Sequence, residues 1–219
     1  MDPGVNVYGA GPPRSGTSML AQCLSIVRET HHECTVTPGA GAPMHLAAWK
    51  GGSPDISVVG HHGSEVAYFY TFVSGRLGGK LIHLWRPPGD WVRSAIAFGM
   101  FDRDRLWKLR LDPPEGSVVE QALWLWREYH GALLATRPDA YVITPDRIVW
   151  TDLLDWLGWD YTPEQICEMQ VLQRQKPNRK RGERMPPPDE VPLDEASTAL
   201  AAHLDTLTKF SRHEARHPV

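Results

Sequence analysis

Four short runs of β-prone residues mark the chain, and each is followed within two residues by Gly or Pro. The runs cover residues 5–8, 56–59, 80–85 and 141–144. Their length and the breakers that follow them predict strands. Residues 29–54 show no clear period and are rich in Gly, Pro, His and Thr. We therefore expect mainly loop there, with a short helix near residues 44–49.

Longer segments between these runs carry the apolar spacing of amphipathic helices. The first stripe follows the first strand and consists of Leu20, Cys23, Leu24 and Val27. The longest stripe begins behind Ser117, which forms a capping-box pattern with Glu120. His130 lies on the apolar face of that helix, and we expect a core histidine with satisfied hydrogen bonds at this position.

A capping residue or capping box marks the start of three of the remaining helices. These starts are Asp90, Thr151, and the pair Thr162 and Gln165. A final helix is expected from about Asp194. The first of these helices runs to about Phe101, and Gly158 ends the second. The last runs to about Phe210, before a polar tail over residues 212–219 that we expect to fray.

Strands separated by helices predict an α/β fold with three layers, in which helices cover both faces of a central parallel sheet. The 219 residues are 42% hydrophobic and 22% charged, which suits one globular domain over residues 1–219. Ligands of such sheets bind beyond the carboxyl ends of the strands. The segments at those ends therefore hold the candidate chemistry.

Composition and charge exclude several classes of protein. The formal net charge of −3 provides no global basic field for nucleic acid. No stretch of about 18 apolar residues exists, so we expect no membrane span. The start of the chain lacks the pattern of a signal peptide, and the three cysteines are too few for a disulfide framework. We therefore expect a cytoplasmic protein.

The segment Gly11–Ser18 lies between the first strand and the first helix. A helix start presents N–H groups and partial positive charge, which suit a phosphate. Two glycines, the hydroxyls of Thr17 and Ser18, and one cation coincide here. The pattern resembles a P-loop, but the Lys expected before the Ser or Thr is missing, and the cation is Arg14. This difference argues against a magnesium-dependent nucleoside triphosphatase. The alternative is a plain strand–helix turn with a surface arginine.

A second candidate segment follows the strand over residues 80–85. Arg86 ends that strand, and Ser94 lies four residues after Asp90, on the same face of the next helix. Arg86 and Ser94 are expected to converge with Arg14 on one anion-binding edge. An arginine fork with a hydroxyl suits a phosphate monoester. The alternative is a surface Arg–Asp pair beside a neutral serine.

These two segments together resemble the sulfotransferases that use 3′-phosphoadenylyl sulfate (PAPS). The family loop P-[RK]-[ST]-G-[ST]-[ST], which grips the 5′-phosphosulfate, is matched at every position by residues 13–18. The family motif for the 3′-phosphate is matched in spacing by Arg86, Pro88, Asp90 and Ser94. Pro87 and Gly89 depart from it. The resemblance covers roughly residues 5–160.

The resemblance implies a sulfotransferase with a P-loop NTPase-like fold, which transfers a sulfuryl group to a hydroxyl or amine of a small-molecule or glycan acceptor. The product of the donor is adenosine 3′,5′-bisphosphate, and no metal is required. Arg14 would stabilise the leaving group. The residues implied in donor binding are Arg14, Ser15, Gly16, Thr17, Ser18, Arg86, Ser94, Lys180 and Arg181.

The general base is expected in the segment after the second of the four strands. His62 is the favoured candidate and His61 the second, because a histidine near its usual pKa suits a base at neutral pH. Glu65 is the reserve, and two loop histidines without a role are the alternative. Lys180 and Arg181 belong to a basic stretch in a flexible loop over residues 176–192, whose alternative is a solvated surface loop.

Two other functions stay open at this point: a P-loop kinase for small molecules or nucleotides, and a non-catalytic nucleotide-binding module. The sequence contains no motif that identifies the acceptor or the oligomeric state. No third ligand is spaced for a metal site with His61 and His62.

Overall fold

The computed structural model describes residues 7–12, 14–28, 30–32, 56–59, 80–101, 113–175 and 188–216. These residues include five strands. The strands are β1 (Val7–Ala10), β2 (Thr30–His32), β3 (Ile56–Val59), β4 (Lys80–Leu84) and β5 (Tyr141–Ile143). The short helix expected near residues 44–49 lies outside the described residues.

The strands form one sheet in the order β2-β3-β1-β4-β5, and every pair is parallel. β1 is central: Val7 lies opposite Ile56 of β3 on one side and opposite Lys80 of β4 on the other. The prediction of an α/β fold with a parallel sheet is therefore confirmed. The prediction of a single domain stays a prediction.

Six α-helices and one 3₁₀ turn belong to the described residues. The helices are α1 (Thr17–Leu24), α2 (Pro88–Ala97), α3 (Val118–Thr136), α4 (Trp150–Leu157), α5 (Pro163–Gln175) and α6 (Glu195–Arg216), and the turn covers Pro145–Arg147. Capping boxes open α3 and α5 as predicted, through Ser117 with Glu120 and through Thr162 with Gln165. Gly158, in the left-handed conformation, ends α4 as predicted.

Side chains alternate between the two faces of the sheet. Ile82 and Leu84 pack with α1, α4 and α5, while Leu81 packs with α3 on the opposite face. Trp85 and Val142 belong to a second apolar cluster with α2, α3 and α6. The helices that contribute to these two clusters form the layers that cover the two faces of the sheet.

Helix α6 packs along β5, the edge strand. The hydroxyl of Ser211 accepts a hydrogen bond of 3.1 Å from the backbone N–H of Val142. Trp85 donates its indole N–H to Thr208 Oγ1 at 2.9 Å. The helix thus provides an acceptor that a further strand would otherwise provide, and it covers that edge.

Several predicted boundaries are wrong. β1 ends at Ala10, two residues beyond the predicted end, and β2 lies in the segment expected to be mainly loop. Asp90 and Thr151 do not cap helices, because α2 begins at Pro88 and α4 at Trp150. A proline at the first helical position has a suitable φ and needs no hydrogen-bond partner, which explains the earlier start of α2.

The ends of two helices also differ from the prediction. α2 ends at Ala97 instead of near Phe101. α6 continues to Arg216, so most of the tail expected to fray is helical. Of the loop predicted over residues 176–192, only residues 188–192 are described, and they form neither helix nor strand. Within the described part of the chain, no helix has the length and apolar character needed to cross a membrane.

Candidate anion-binding site

The chain leaves β1 and β4 in opposite directions, although the two strands are neighbours. From β1 it continues to β2 on one side of the sheet, and from β4 it continues to β5 on the other. This reversal of direction opens a cleft at the carboxyl ends of the two strands. The loop after β1 and the start of α2 border this cleft, as the sequence predicts.

Close packing gives the loop after β1 its shape. The N–H of Ser15 donates to the carbonyl of Pro12 at 3.0 Å and closes a turn. A Cβ placed on Gly11 would lie 2.7 Å from the carbonyl oxygen of Leu84, so only glycine fits against β4 there. Gly16 has a φ of 100° and forms the N-cap of α1.

The first turn of α1 contains no acidic residue, and no side chain caps it. N–H groups in the first turn of a helix have no partner within the helix, and they concentrate partial positive charge. Thr17 is buried and Ser18 half-buried at this start. Because the first turn of α1 contains no acidic residue, no carboxylate of this helix competes with an anion for this position.

Arg14 is the one non-glycine residue with positive φ, at 71°, within the described ranges. A side chain in the left-handed region carries a conformational cost, which is typical of functional sites. The guanidinium Nε donates to Ser94 Oγ at 3.1 Å. Its Cζ lies 4.9 Å from the centre of the Phe98 ring.

Arg86 supports the loop from the end of β4. Its guanidinium donates to the carbonyl of Arg14 at 3.2 Å. The carbonyl of Arg86 in turn accepts from the indole N–H of Trp126 on α3, at 3.0 Å. The structure therefore brings Arg14, Arg86 and Ser94 together as predicted. The hydrogen bond from Trp126 links the end of β4 to α3.

Among the described residues, two buried hydroxyls near the loop lack a hydrogen-bond partner: Ser15 Oγ and Thr144 Oγ1. A buried polar atom without a partner costs about 1–3 kcal/mol. Ser15 belongs to the predicted anion loop, and a Cβ on Gly11 would lie 3.1 Å from its Cβ. The Ser15 side chain is fully buried beneath the loop, so its hydroxyl is an unpaired polar group beside the backbone of Gly11.

A second border of the loop is made by the 3₁₀ turn after β5. A Cβ on Gly16 would lie 2.7 Å from Cγ of Pro145, so the proline ring packs directly against the glycine. Gln173 on α5 donates to the carbonyl of Pro145 at 2.6 Å. The same side chain accepts from the indole N–H of Trp150 at 2.9 Å.

Behind the end of β4 lies a buried pair of histidines. His83 Nε2 and His130 Nδ1 are 2.7 Å apart, so one ring donates to the other. Among the described residues, the outer nitrogens, His83 Nδ1 and His130 Nε2, have no hydrogen-bond partner. Burial lowers the pKa of His83 to about 3. Burial, with repulsion from His83, holds the pKa of His130 well below its usual value. His130 lies in the core as predicted, but the expectation that its hydrogen bonds are satisfied is wrong at Nε2 within these residues.

Several predicted site residues lie outside the described residues: His61, His62, Glu65, Lys180 and Arg181. Their roles stay predictions. The described chain on either side of residues 176–187 contacts the borders of the cleft, through Gln173 at one end and through Asp189 at the other. The carbonyl of Asp189 accepts from Arg93, the neighbour of Ser94, at 2.9 Å.

The sequence did not predict the contributions of Phe98, Pro145 and Gln173 to this site. The spacing of Ser94 and Phe98, four residues apart on one helix face, contained a signal for the first. The described ranges contain no group of three His, Cys, Asp or Glu side chains able to hold a metal ion. Comparisons with protein-family models, curated proteins and solved structures found no match.

Proposed function

We propose that the protein is a sulfotransferase that transfers a sulfuryl group from PAPS to a hydroxyl or amine of a small-molecule or glycan acceptor. The observation that carries the proposal is the meeting of Arg14, Arg86 and Ser94 at the ends of neighbouring strands. The site has two anion-binding regions: the loop before α1, and the start of α2 with Arg86. A nucleotide with phosphate on both its 5′ and 3′ sides suits two such regions.

The loop residues fit the 5′ side of such a donor. Ser15 offers a buried hydroxyl without a partner, and the glycines at positions 11 and 16 let the backbone approach closely. Negative charge develops on the oxygen that leaves sulfur during transfer, and positioned donors stabilise it. Arg14 is suited to that role. An arginine does not release its proton in proteins, so Arg14 does not act as a general acid.

The order β2-β3-β1-β4-β5 and the loop before α1 support a P-loop-like sulfotransferase fold within the α/β class. The rival of a magnesium-dependent kinase lacks support, because residues 11–18 contain no lysine, and a P-loop requires one before its Ser or Thr. The base that accepts the proton of the acceptor is proposed to be His62, with His61 as the second candidate. A Glu65 base and a non-catalytic nucleotide-binding module remain the competing hypotheses.

The proposal is tested by calorimetric titration with adenosine 3′,5′-bisphosphate, and with 5′-AMP for comparison. We expect the bisphosphate to bind more tightly, because Arg86 and Ser94 serve the 3′-phosphate. Arg86→Ala should weaken bisphosphate binding by about 2–3 kcal/mol, or roughly 100-fold, since a charged hydrogen-bond partner is lost. It should weaken 5′-AMP binding less, because only its hydrogen bond to the Arg14 carbonyl serves the loop that takes the 5′-phosphate.

Arg93→Ala is the matched control for that substitution. Arg93 is an exposed arginine on α2, next to Ser94, and its side chain contacts the carbonyl of Asp189. Removal of this side chain should change the affinity for adenosine 3′,5′-bisphosphate less than threefold. Absence of saturable binding, or equal affinity for 5′-AMP, would rule out the 3′-phosphate assignment. Binding of ATP that requires Mg²⁺ would instead support a kinase.

A further inference from the structure

Phe98 lies at the end of α2, one helical turn after Ser94. Its N–H donates to the carbonyl of Ser94 at 3.1 Å, so the two residues keep helical spacing and share one face. The ring is half-buried and packs against the apolar cluster formed by α2, α3 and α6. Its position is therefore set by the core and not by solvent.

The guanidinium of Arg14 contacts both residues of this face. Its Nε donates to the Ser94 hydroxyl at 3.1 Å, and its Cζ lies 4.9 Å from the centre of the Phe98 ring. A cation within about 6 Å of an aromatic centre is attracted by the ring. One contact at Nε and one at the ring restrict both the position and the plane of the guanidinium. The backbone of Arg14 is held separately, through its carbonyl, by Arg86.

We propose that Phe98 is a positioning residue, which orients the Arg14 guanidinium for the anion bound at the loop before α1. The inference rests on the proposed function for the identity of that anion. An arginine side chain is flexible, and ordering it at the moment of binding costs affinity. Phe98 reduces this cost because it orders Arg14 before the anion arrives.

The test compares Phe98→Leu with Phe98→Trp, by titration with adenosine 3′,5′-bisphosphate. The Leu variant keeps an apolar side chain and loses the ring, and we expect about tenfold weaker binding. The Trp variant keeps an aromatic face, which attracts cations at least as well, and should bind within about threefold of the wild type. Equal affinities of the wild type and Phe98→Leu would overturn the inference.

A double-substitution cycle separates positioning from a general packing effect. In the Arg14→Gln background, Phe98→Leu should change the affinity less than twofold, because the group it orients is gone. A tenfold loss in both backgrounds would show that Phe98 acts only through the core and would overturn the inference. Phe98→Met, which has a longer and more adaptable apolar side chain than Leu and no ring, replaces the Leu variant if that one does not fold.

A measurement without ligand keeps this inference distinguishable from the proposed function. A nucleus above an aromatic ring is shifted upfield, so we expect an upfield NMR shift for the Arg14 Cζ, the atom that lies 4.9 Å from the centre of the Phe98 ring, in the free protein. Phe98→Leu should remove the shift, while Phe98→Trp should keep it. If the wild type does not bind the bisphosphate, the donor assignment fails alone. An unshifted Arg14 signal, or one that Phe98→Leu leaves unchanged, would overturn the positioning role.

Discussion

Two rims border the loop after β1, and they hold it by different means. The charged rim, made of Arg86, Ser94 and Phe98, contacts Arg14 through hydrogen bonds and an aromatic face. The packed rim consists of Pro145, Trp150 and Gln173. It contacts Gly16 through the proline ring, which two side-chain hydrogen bonds support.

This difference separates two tasks. Contacts to the guanidinium of Arg14 orient the charged group that would bind a ligand. Contacts to Gly16 fix the conformation of the backbone, because a side chain at this position would clash with its neighbour. We therefore expect substitutions in the charged rim to change affinity more than stability. Those in the packed rim should change stability more than affinity.

The largest expected effect is a change of stability with pH, and it comes from the residues packed behind the charged rim. Behind the packed rim the core is apolar, but behind the charged rim lies the buried pair of His83 and His130. The folded pair stays neutral, because burial lowers both pKa values. Unfolded imidazoles have a pKa near 6.5 and take up protons below it. The unfolded state therefore binds more protons, and the free energy of unfolding falls as the pH drops below about 6.5.

Each histidine contributes about 1.4 kcal/mol per pH unit in this window, so the pair lowers stability by about 4 kcal/mol between pH 7 and pH 5. Above pH 7 the pair causes no further change. Urea unfolding at several pH values measures the slope. The double variant His83→Leu/His130→Leu removes both rings and should flatten it. Equal slopes for the wild type and the double variant would contradict the prediction.

A smaller loss of stability is expected from Gly16→Ala, at the loop residue that the packed rim contacts. The new methyl group would lie 2.7 Å from Cγ of Pro145, and the φ of 100° strains a side chain. Backbone strain and overpacking together should lower the free energy of unfolding by about 2–4 kcal/mol. Urea unfolding at neutral pH measures this change.

Gly131→Ala is the control for that substitution. Gly131 lies within α3, and no atom lies within 4 Å of its added Cβ. Alanine suits a helix interior better than glycine, so this variant should be more stable by about 0.5–1 kcal/mol. If both alanine variants changed stability alike, the contact between Gly16 and Pro145 would not support the loop.

The sequence was informative where local pattern and sheet geometry decide the outcome. Arg14, Arg86 and Ser94 meet because carboxyl ends of neighbouring parallel strands share one edge, although Arg14 and Ser94 are 80 residues apart. Capping boxes were correct because their hydrogen bonds span three residues. β2 was missed because backbone pairing with β3 holds three residues that show no apolar alternation.

Side-chain pairs from distant elements could not be predicted in the same way. His83 falls on a buried strand and His130 on a buried helix stripe, but nothing in either pattern shows that the rings meet across 47 residues. The left-handed conformation of Arg14 is equally hidden, because it depends on the contacts of the loop with both rims. Only the helical spacing of Ser94 and Phe98 contained a usable signal.

The smallest effects come from a matched pair of substitutions, one in each rim. Gln173→Ala removes a donor from the Pro145 carbonyl and an acceptor from the Trp150 indole. We expect it to lower the free energy of unfolding by about 1–2 kcal/mol, the cost of leaving half-buried polar groups without partners. Its affinity for adenosine 3′,5′-bisphosphate should change less than threefold.

Ser94→Ala removes one half-buried hydroxyl from the charged rim. It should change stability by less than about 0.5 kcal/mol, and it should weaken bisphosphate binding about tenfold, because a hydrogen bond to a charged group is worth about 1.5 kcal/mol or more. Parallel unfolding and titration of both variants gives two stability changes and two affinity changes. If Ser94→Ala lost stability and kept affinity, or Gln173→Ala did the reverse, the division of tasks between the rims would be wrong.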